Sequence, residues 1–296
     1  MGNPDVERQS VHLTSDIVAN SSTTEAPKFR PPREKFFSIR GTVTSRQSFV
    51  LGLIGLMLFL LIWQIGHWAT PELERKFLPG VNEIVGKIFY LIKEKGFLLD
   101  IGVSLYRIYV SFFVACIVAV PLGLVMGCFV KVQALVNPTV GGLRYLPAAS
   151  FVPLLLVYLG PTDVAKMALL FLGCVFFLIA LILDNVLSVP KELVESAQTM
   201  GANRRHIVIQ VALRSAAPQI LDSMRNMIAV SWTYLVIAEI VAATDGIGAV
   251  MMRGAKFLHI DIIMAGILTI GILGVLTDIL FRSAAHFLFP YIYKRK

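Results

Sequence analysis

The sequence predicts an all-α integral membrane protein of about six transmembrane helices, and three observations carry that prediction. Hydrophobic residues make up 56% of the 296-residue chain and charged residues only 16%, where a soluble domain has roughly 25% charged residues. The mean hydropathy is +0.73, and the apolar residues fall in long runs, as membrane spans of about 20 residues require. The net charge is +8, and the Lys and Arg residues are spread over several segments between and outside the runs. Such a distribution holds a membrane topology and offers no clustered basic face for nucleic acid.

The elements follow in order. Residues 1–46 are rich in Ser, Thr, Val and Asn up to Ala26, then basic and proline-broken in Lys28-Phe-Arg-Pro-Pro-Arg-Glu-Lys35. This tail reads as a disordered, basic cytoplasmic segment at the membrane surface. It is not a secretory signal, because the apolar run starts late and no small-residue cleavage site follows. Residues 47–100 comprise a first span, Ser48–Ala69, and an external segment, Thr70–Asp100, in which Ile84, Ile88, Leu91 and Ile92 share one face. That spacing predicts an amphipathic helix lying on the outer surface. Residues 101–296 hold five more apolar segments: Tyr106–Val130, Leu146–Leu159, Ala165–Leu187, Ile220–Ala243 and Ile262–Phe281. The third span of the six, Leu146–Leu159, is short and carries Pro147 and Pro153, so it starts near Val136 or is tilted and kinked. Lys and Arg in the tail, between spans four and five, and at the C-terminus place both termini in the cytoplasm.

Ionisable residues inside a span are costly and face a partner or a cavity. Arg107 and Asp184 lie near span ends, where a polar group reaches water. Asp222 and Arg225 are three apart and able to pair on one helix face. Glu239 is the deepest; it reads either as a hydrogen-bonding residue for a neighbouring helix or the Gly246–Gly248 loop, or as part of a gate or path. Trp232 and Tyr234 serve packing or line a path. Cys116, Cys128 and Cys174 sit in apolar runs as small buried hydrophobes, and no His–Cys cluster with metal-ligand spacing occurs. Gly80-Val-Asn-Glu-Ile-Val-Gly86-Lys87-Ile88 has five residues between its glycines and Ile in place of Ser or Thr, which argues against a nucleotide-binding phosphate loop.

The most informative stretch is Val189–Ile220, VPKELVESAQTMGANRRHIVIQVALRSAAPQI. Pro190 suits a first helical position, Glu192 and Glu195 suit the positive N-terminal end, and Gly201 suits a left-handed terminus. Leu193, Val194, Ala197 and Met200 give one apolar face. The local reading is a helix of about three turns between two spans, with Arg204, Arg205 and His206 at the cytoplasmic headgroups. Ser196 and Ala197 would allow another surface to approach closely.

The spacing Glu195-Ser196-Ala197, three residues, Gly201, nine residues, Val211-Ala-Leu213 resembles the EAA motif of binding-protein-dependent ABC importer permeases. It departs from that motif at Ser196 and at Arg214, where a proline is expected. The resemblance spans Phe77–Pro290. It includes Ser104-Leu-Tyr-Arg107, Leu122-Gly-Leu-Val-Met-Gly127, Arg144-Tyr-Leu-Pro147 with Val152-Pro-Leu-Leu155, and Ala238-Glu239 through Gly246-Ile-Gly248. The chain looks closest to the nitrate, sulfonate, taurine and bicarbonate permeases.

The resemblance implies a type I importer permease fold in a bacterial inner membrane and uptake of a small anion such as nitrate, bicarbonate, a sulfonate or taurine. It implies a second permease copy, two cytoplasmic ATPase subunits, and a periplasmic or lipid-anchored solute-binding protein. The chain itself is then neither an enzyme nor a cofactor carrier; ATP and magnesium belong to the ATPases. Glu195, Ser196, Ala197, Gly201, Arg204 and Arg205 are expected to couple to the ATPase. Arg107, Arg225, Trp232, Tyr234 and Glu239 are candidates for the substrate path. An ion-coupled secondary transporter is the alternative, but such a protein should show an internal repeat with matching broken helices, and none is visible in the sequence.

Overall fold

A computed structural model describes residues 43–241 and 244–293. The expectations for the N-terminal tail up to residue 42 therefore lie outside the described residues. The described residues divide between residues 57 and 58, inside helix α1, Ser45–Ala69. The described residues form helices throughout: α2 Val81–Glu94, α3 Phe97–Cys128, α4 Val130–Leu143, α5 Val152–Leu159, α6 Asp163–Leu187, α7 Lys191–Thr199, α8 Arg204–Val241, α9 Ile247–Lys256 and α10 Ile260–Leu288. Among the described residues, five helices are long and apolar enough to cross a membrane, and a sixth crossing arises if the bent pair α4–α5 is one span.

The second span begins at Phe97, well before the expected Tyr106, and its first-turn Asp100 accepts from the Gly246 N–H. Span five is also longer than expected. It begins at Arg204 and passes through a π-helical stretch, Ile207–Leu213, before Pro218. Arg214, standing where the related motif has proline, leaves the helix unbroken there. The third crossing is broken: α4 and α5 meet at 82° across a 3-10 turn, Ala148–Phe151.

Paired residues fix the helix directions. Arg107 lies beside Asp163, while a Cβ on Gly123 would sit 2.8 Å from Ile182 and one on Gly127 would meet Val186. Helices α3 and α6 therefore run parallel in close contact, and the two glycines, four apart, allow the backbones to approach. Parallel neighbours require a return crossing between them, which is the work of the broken α4–α5 pair. Helix α8 is antiparallel to α6: Cys174 Sγ is 2.8 Å from Ser231 Oγ, Asn185 donates to Ser223 Oγ and Ser188 to Gln219. Tyr109 pairs with Thr277 and Phe112 stacks edge-on against Phe281, so α10 runs parallel to α3. The core between these helices is built from Ala115, Ala119, Leu178, Ile182, Ala216 and Ile228 among others.

The amphipathic helix α2 was expected to rest on the outer surface. Its apolar stripe turns inward instead: Ile84 and Leu91 are buried in a cluster with Val250, Met251 and Ala265. Lys87 anchors it to Asp261 at 2.7 Å, and Glu83 accepts from the Gly80 N–H. The start of α2 is also fastened to α1, where Trp63 Nε1 donates to the Pro79 carbonyl and Gln64 accepts from the Val81 N–H. Protein burial wins because α9 and α10 offer an apolar surface that a lone helix would otherwise have to find in lipid.

Candidate functional site

Two places concentrate polar chemistry, one at each end of the helix bundle. The first is an ionic knot at the end that carries Asp163. Arg107 is fully buried, contrary to the expectation that it reaches water near a span end. Ten residues of α3 precede it, and the α6 and α8 ends close over it. All five of its N–H donors are used. Nε donates to Asp163 at 3.0 Å, and Nη1 donates to Glu239 at 3.0 Å and to the Asp245 carbonyl at 3.1 Å. Nη2 donates to both Asp163 and Asp245. A planar fork of fixed donors suits this multiple recognition in a way a lysine could not match. Lys166, nearly as buried, donates to Thr244 Oγ1 at 2.8 Å and Asp245 at 3.0 Å.

Glu239 is fully buried as well. It accepts from Ser104 Oγ at 2.7 Å, from Arg107, and from the Gly248 N–H at 2.8 Å. The loop above it uses three successive amides in the same way: Gly246 donates to Asp100, Ile247 to Ser104 and Gly248 to Glu239. Gly246 has φ +94, and a Cβ there would collide with the Glu239 carboxylate; a Cβ on Gly248 would come within 2.7 Å of Glu239 Cβ. Both glycines are therefore required by close approach, one of them also by its backbone angle. Burial pushes the Asp245 carboxyl up, but hydrogen bonds from Arg107, Thr244 and Lys166 outweigh it and hold the group well below the usual carboxylate range. The knot ties the 244–248 loop to α3 and α6. It joins two sequence motifs 132 residues apart, Ser104–Arg107 and Ala238–Glu239.

The second place is α7, at the opposite end. Its C-terminus closes with the Gly201 N–H on the Gln198 carbonyl and the Ala202 N–H on the Ala197 carbonyl. Gly201 has φ +80, the left-handed residue such a terminus needs. Asn203 then caps the next turn by accepting from the His206 N–H. Glu195, Ser196, Gly201, Arg204 and Arg205 are exposed, whereas Ala197 is buried. Ala197 therefore packs inward. Leu193 and Met200 stay exposed, and Met200 lines a hollow of about 380 Å³ with Ala197, Gly201, Asn203, His206 and Val211.

Of the remaining candidates, Arg225 meets Asp222 at 3.5 Å, as the spacing suggested, and also Asp278 of α10 at 3.2 Å. Trp232 is buried with Ile108, Leu170 and Leu235. Tyr234 lies over Gly173, where a Cβ would be 2.6 Å from its ring. Asp163, Lys166 and Asp245, which complete the knot, were not singled out from the sequence. Each lies within two turns of a span boundary, where a charge attracts no notice. No group of three or more His, Cys, Asp or Glu placed to hold a metal occurs among the described residues.

Comparison with known proteins assigns this helical arrangement to a class. Residues 119–290, more than half of the chain, match the binding-protein-dependent transport system inner membrane component family. The chain belongs to that family of multi-pass inner-membrane transport permeases. Its relatives include the taurine transport system permease protein TauC of Escherichia coli, 30% identical over 245 residues, covering 80% of this chain and 87% of that protein. The putative aliphatic sulfonates transport permease protein SsuC of Bacillus subtilis is 26% identical, covering 79% and 84%. The bicarbonate transport system permease protein CmpB of Synechococcus elongatus is 26% identical, covering 77% and 85%. Among solved structures, a chain of the inward-facing MetNI methionine ABC transporter matches 64% of this chain and 94% of its own length, with a TM-score of 0.58 at 19% identity. That likeness establishes the fold.

Proposed function

We propose that this chain is the permease subunit of an ATP-driven importer for a small anion. Sulfonates, taurine and bicarbonate are the first substrates to assay, and nitrate follows. The observation that carries the coupling part of this reading is α7. It is a short helix closed at Gly201 and set between two spans, with Leu193 and Glu195 exposed and Met200 open on a hollow. An exposed apolar pair on a rigid body suits docking into the cleft of another protein. Two ATPase subunits holding ATP and magnesium grip this helix in each of two permease copies. ATP binding draws the ATPases together and moves α6 and α8, and hydrolysis resets them. With the Lys and Arg distribution, α7 and both termini lie in the cytoplasm. The Asp163 end then faces outward, towards a solute-binding protein. There the ionic knot keeps the 244–248 loop fixed to α3 and α6, so that this end moves as one piece. The anion reading rests on the substrates named for relatives that share about four-fifths of the chain.

The test is mild purification of the chain from its native membrane with mass spectrometry of what accompanies it. A stoichiometric partner with a phosphate-binding loop, and ATP-dependent uptake of one of these anions after reconstitution, is the expected result. A preparation free of ATPase that transports on an ion gradient alone would replace this reading with a secondary transporter.

A further inference from the structure

The broken crossing carries a cation that no carboxylate among the described residues neutralises. Arg144 stands directly after α4, at the start of the irregular stretch 144–147 that precedes the 3-10 turn. Ala148, beyond the break, packs with Leu169 and Ala238. Leu169 is six residues into α6, about 9 Å along the helix from Asp163. Val140, before the break, belongs to the cluster that takes in α6 from Cys174 onward. The break therefore lies inside the apolar layer and not at its edge.

Buried and half-buried cations elsewhere in the spans have carboxylate partners. Arg107 and Lys166 share Asp163, Asp245 and, for Arg107, Glu239. Arg225 has Asp222 and Asp278. Arg144 has no carboxylate within ion-pair distance among the described residues. Its side chain meets its neighbour instead: Nη2 donates to Tyr145 Oη at 3.2 Å, and the guanidinium lies 5.1 Å from the centre of the Tyr145 ring. Tyr145 is 76% exposed and Leu146 48%, so this chain does not bury the irregular stretch.

Two separate costs coincide here. A lone guanidinium against hydrocarbon is unfavourable by several kcal/mol. Non-helical backbone at membrane depth is tolerated only where protein buries it or water reaches it. Both are relieved if the break lines a hydrated path. We infer that residues Arg144–Pro147 line the transport path and that Arg144 receives the oxyanion head of the substrate. This inference rests on the small-anion reading above. A sulfonate, or the planar head of bicarbonate, accepts two N–H bonds from one guanidinium fork. Tyr145, which accepts from Nη2, keeps its own hydroxyl proton free to donate to the same anion. The ring beneath the guanidinium holds the fork in one orientation.

The experiment uses the complete transporter in proteoliposomes, with whichever of taurine, hexanesulfonate or bicarbonate the unsubstituted protein imports. Arg144→Gln should lower uptake about tenfold or more, as loss of a charged hydrogen bond implies. ATP hydrolysis stimulated by the loaded binding protein should persist, which shows that the variant is folded and coupled. Arg144→Lys should fall between the two. Unchanged uptake by Arg144→Gln overturns the assignment. Tyr145→Cys gives an independent reading, compared with the unsubstituted protein to discount the native cysteines. The anionic, membrane-impermeant sulfonatoethyl thiosulfonate should label it faster than its cationic analogue, and the substrate should protect it. Labelling only by a membrane-permeant maleimide would place the break against lipid. Preference for the cationic reagent would show Arg144 already neutralised by a neighbouring chain; either result overturns the inference. If the unsubstituted transporter imports none of these anions, the anion reading fails on its own, while the labelling still tests the position of the break.

Discussion

Replacing Arg107 with methionine should damage the protein through the carboxylates left behind. The arginine supplies five hydrogen bonds, to Asp163, Glu239, Asp245 and the Asp245 carbonyl. Asp163 and Asp245 are half-exposed and recover part of their loss from water. Glu239 cannot, because it is fully buried. Removing one partner of a buried pair costs about 3–5 kcal/mol. Ser104 and the Gly248 N–H still donate to Glu239, which puts the expected cost near the lower value, about 3 kcal/mol. For a chain of this size that corresponds to a fall of about 6 °C in apparent melting temperature. The assay is thermal unfolding in lipid nanodiscs at neutral pH, with Arg107→Met, Glu239→Met and the double variant measured side by side. The double variant should be less destabilised than the sum of the two single variants by about 1 kcal/mol or more, because an apolar pair leaves no orphaned charge. If Arg107→Met melts within about 1 °C of the unsubstituted protein, or the two changes simply add, the knot does not hold the loop as described.

Three further outcomes are expected. Asp245 is held below its ordinary pKa in the folded protein, so its stabilisation is complete above that ordinary value and is lost as the pH falls through the lowered one. Asp245→Asn should therefore melt below the unsubstituted protein from pH 7 down to about 5, with the gap narrowing below about pH 4; a pH series of melting temperatures shows this. Gly173→Val should cost about 1–3 kcal/mol by overpacking against Tyr234, and adding Tyr234→Ala should restore part of it, as read from the same unfolding curves. Gly201→Trp should reduce ATP-dependent uptake while leaving the purified protein folded, because a non-glycine residue at φ +80 opens the end of α7; normal uptake together with normal ATPase recruitment would remove α7 from the coupling pathway.

The apolar runs, their number and their order were legible in the residues, as were the three-turn helix at 191–199 and its termination at Gly201. These are local matters. A run of about 20 apolar residues has few alternatives to a membrane helix, and a left-handed terminus favours glycine wherever it occurs. Gly123 and Gly127 stood in the sequence as part of a family-like motif, but nothing in their spacing identified Ile182 and Val186 as what they meet.

The long-range matters were decided by tertiary structure. Arg107 looked like a residue near a span end that reaches water, yet α6 and α8 close over it. Its pairing with Glu239, across 132 positions, depends on which helices lie side by side, and no local preference encodes that. The helix α2 had the pattern of a surface-lying helix, and only the neighbouring α9 and α10 could turn its apolar stripe into protein. The prolines in 146–159 announced a kink, but neither the 82° angle nor the position of Arg144 at its corner, without a carboxylate partner among the described residues, was legible there. By itself the sequence determined that this chain spans the membrane in helices and the order in which they come, because hydrophobic length is a local quantity. The tertiary structure decided which charges are neutralised and which are left open, because pairing a charge in a low-dielectric interior requires a partner brought within about 3 Å from a distant part of the chain.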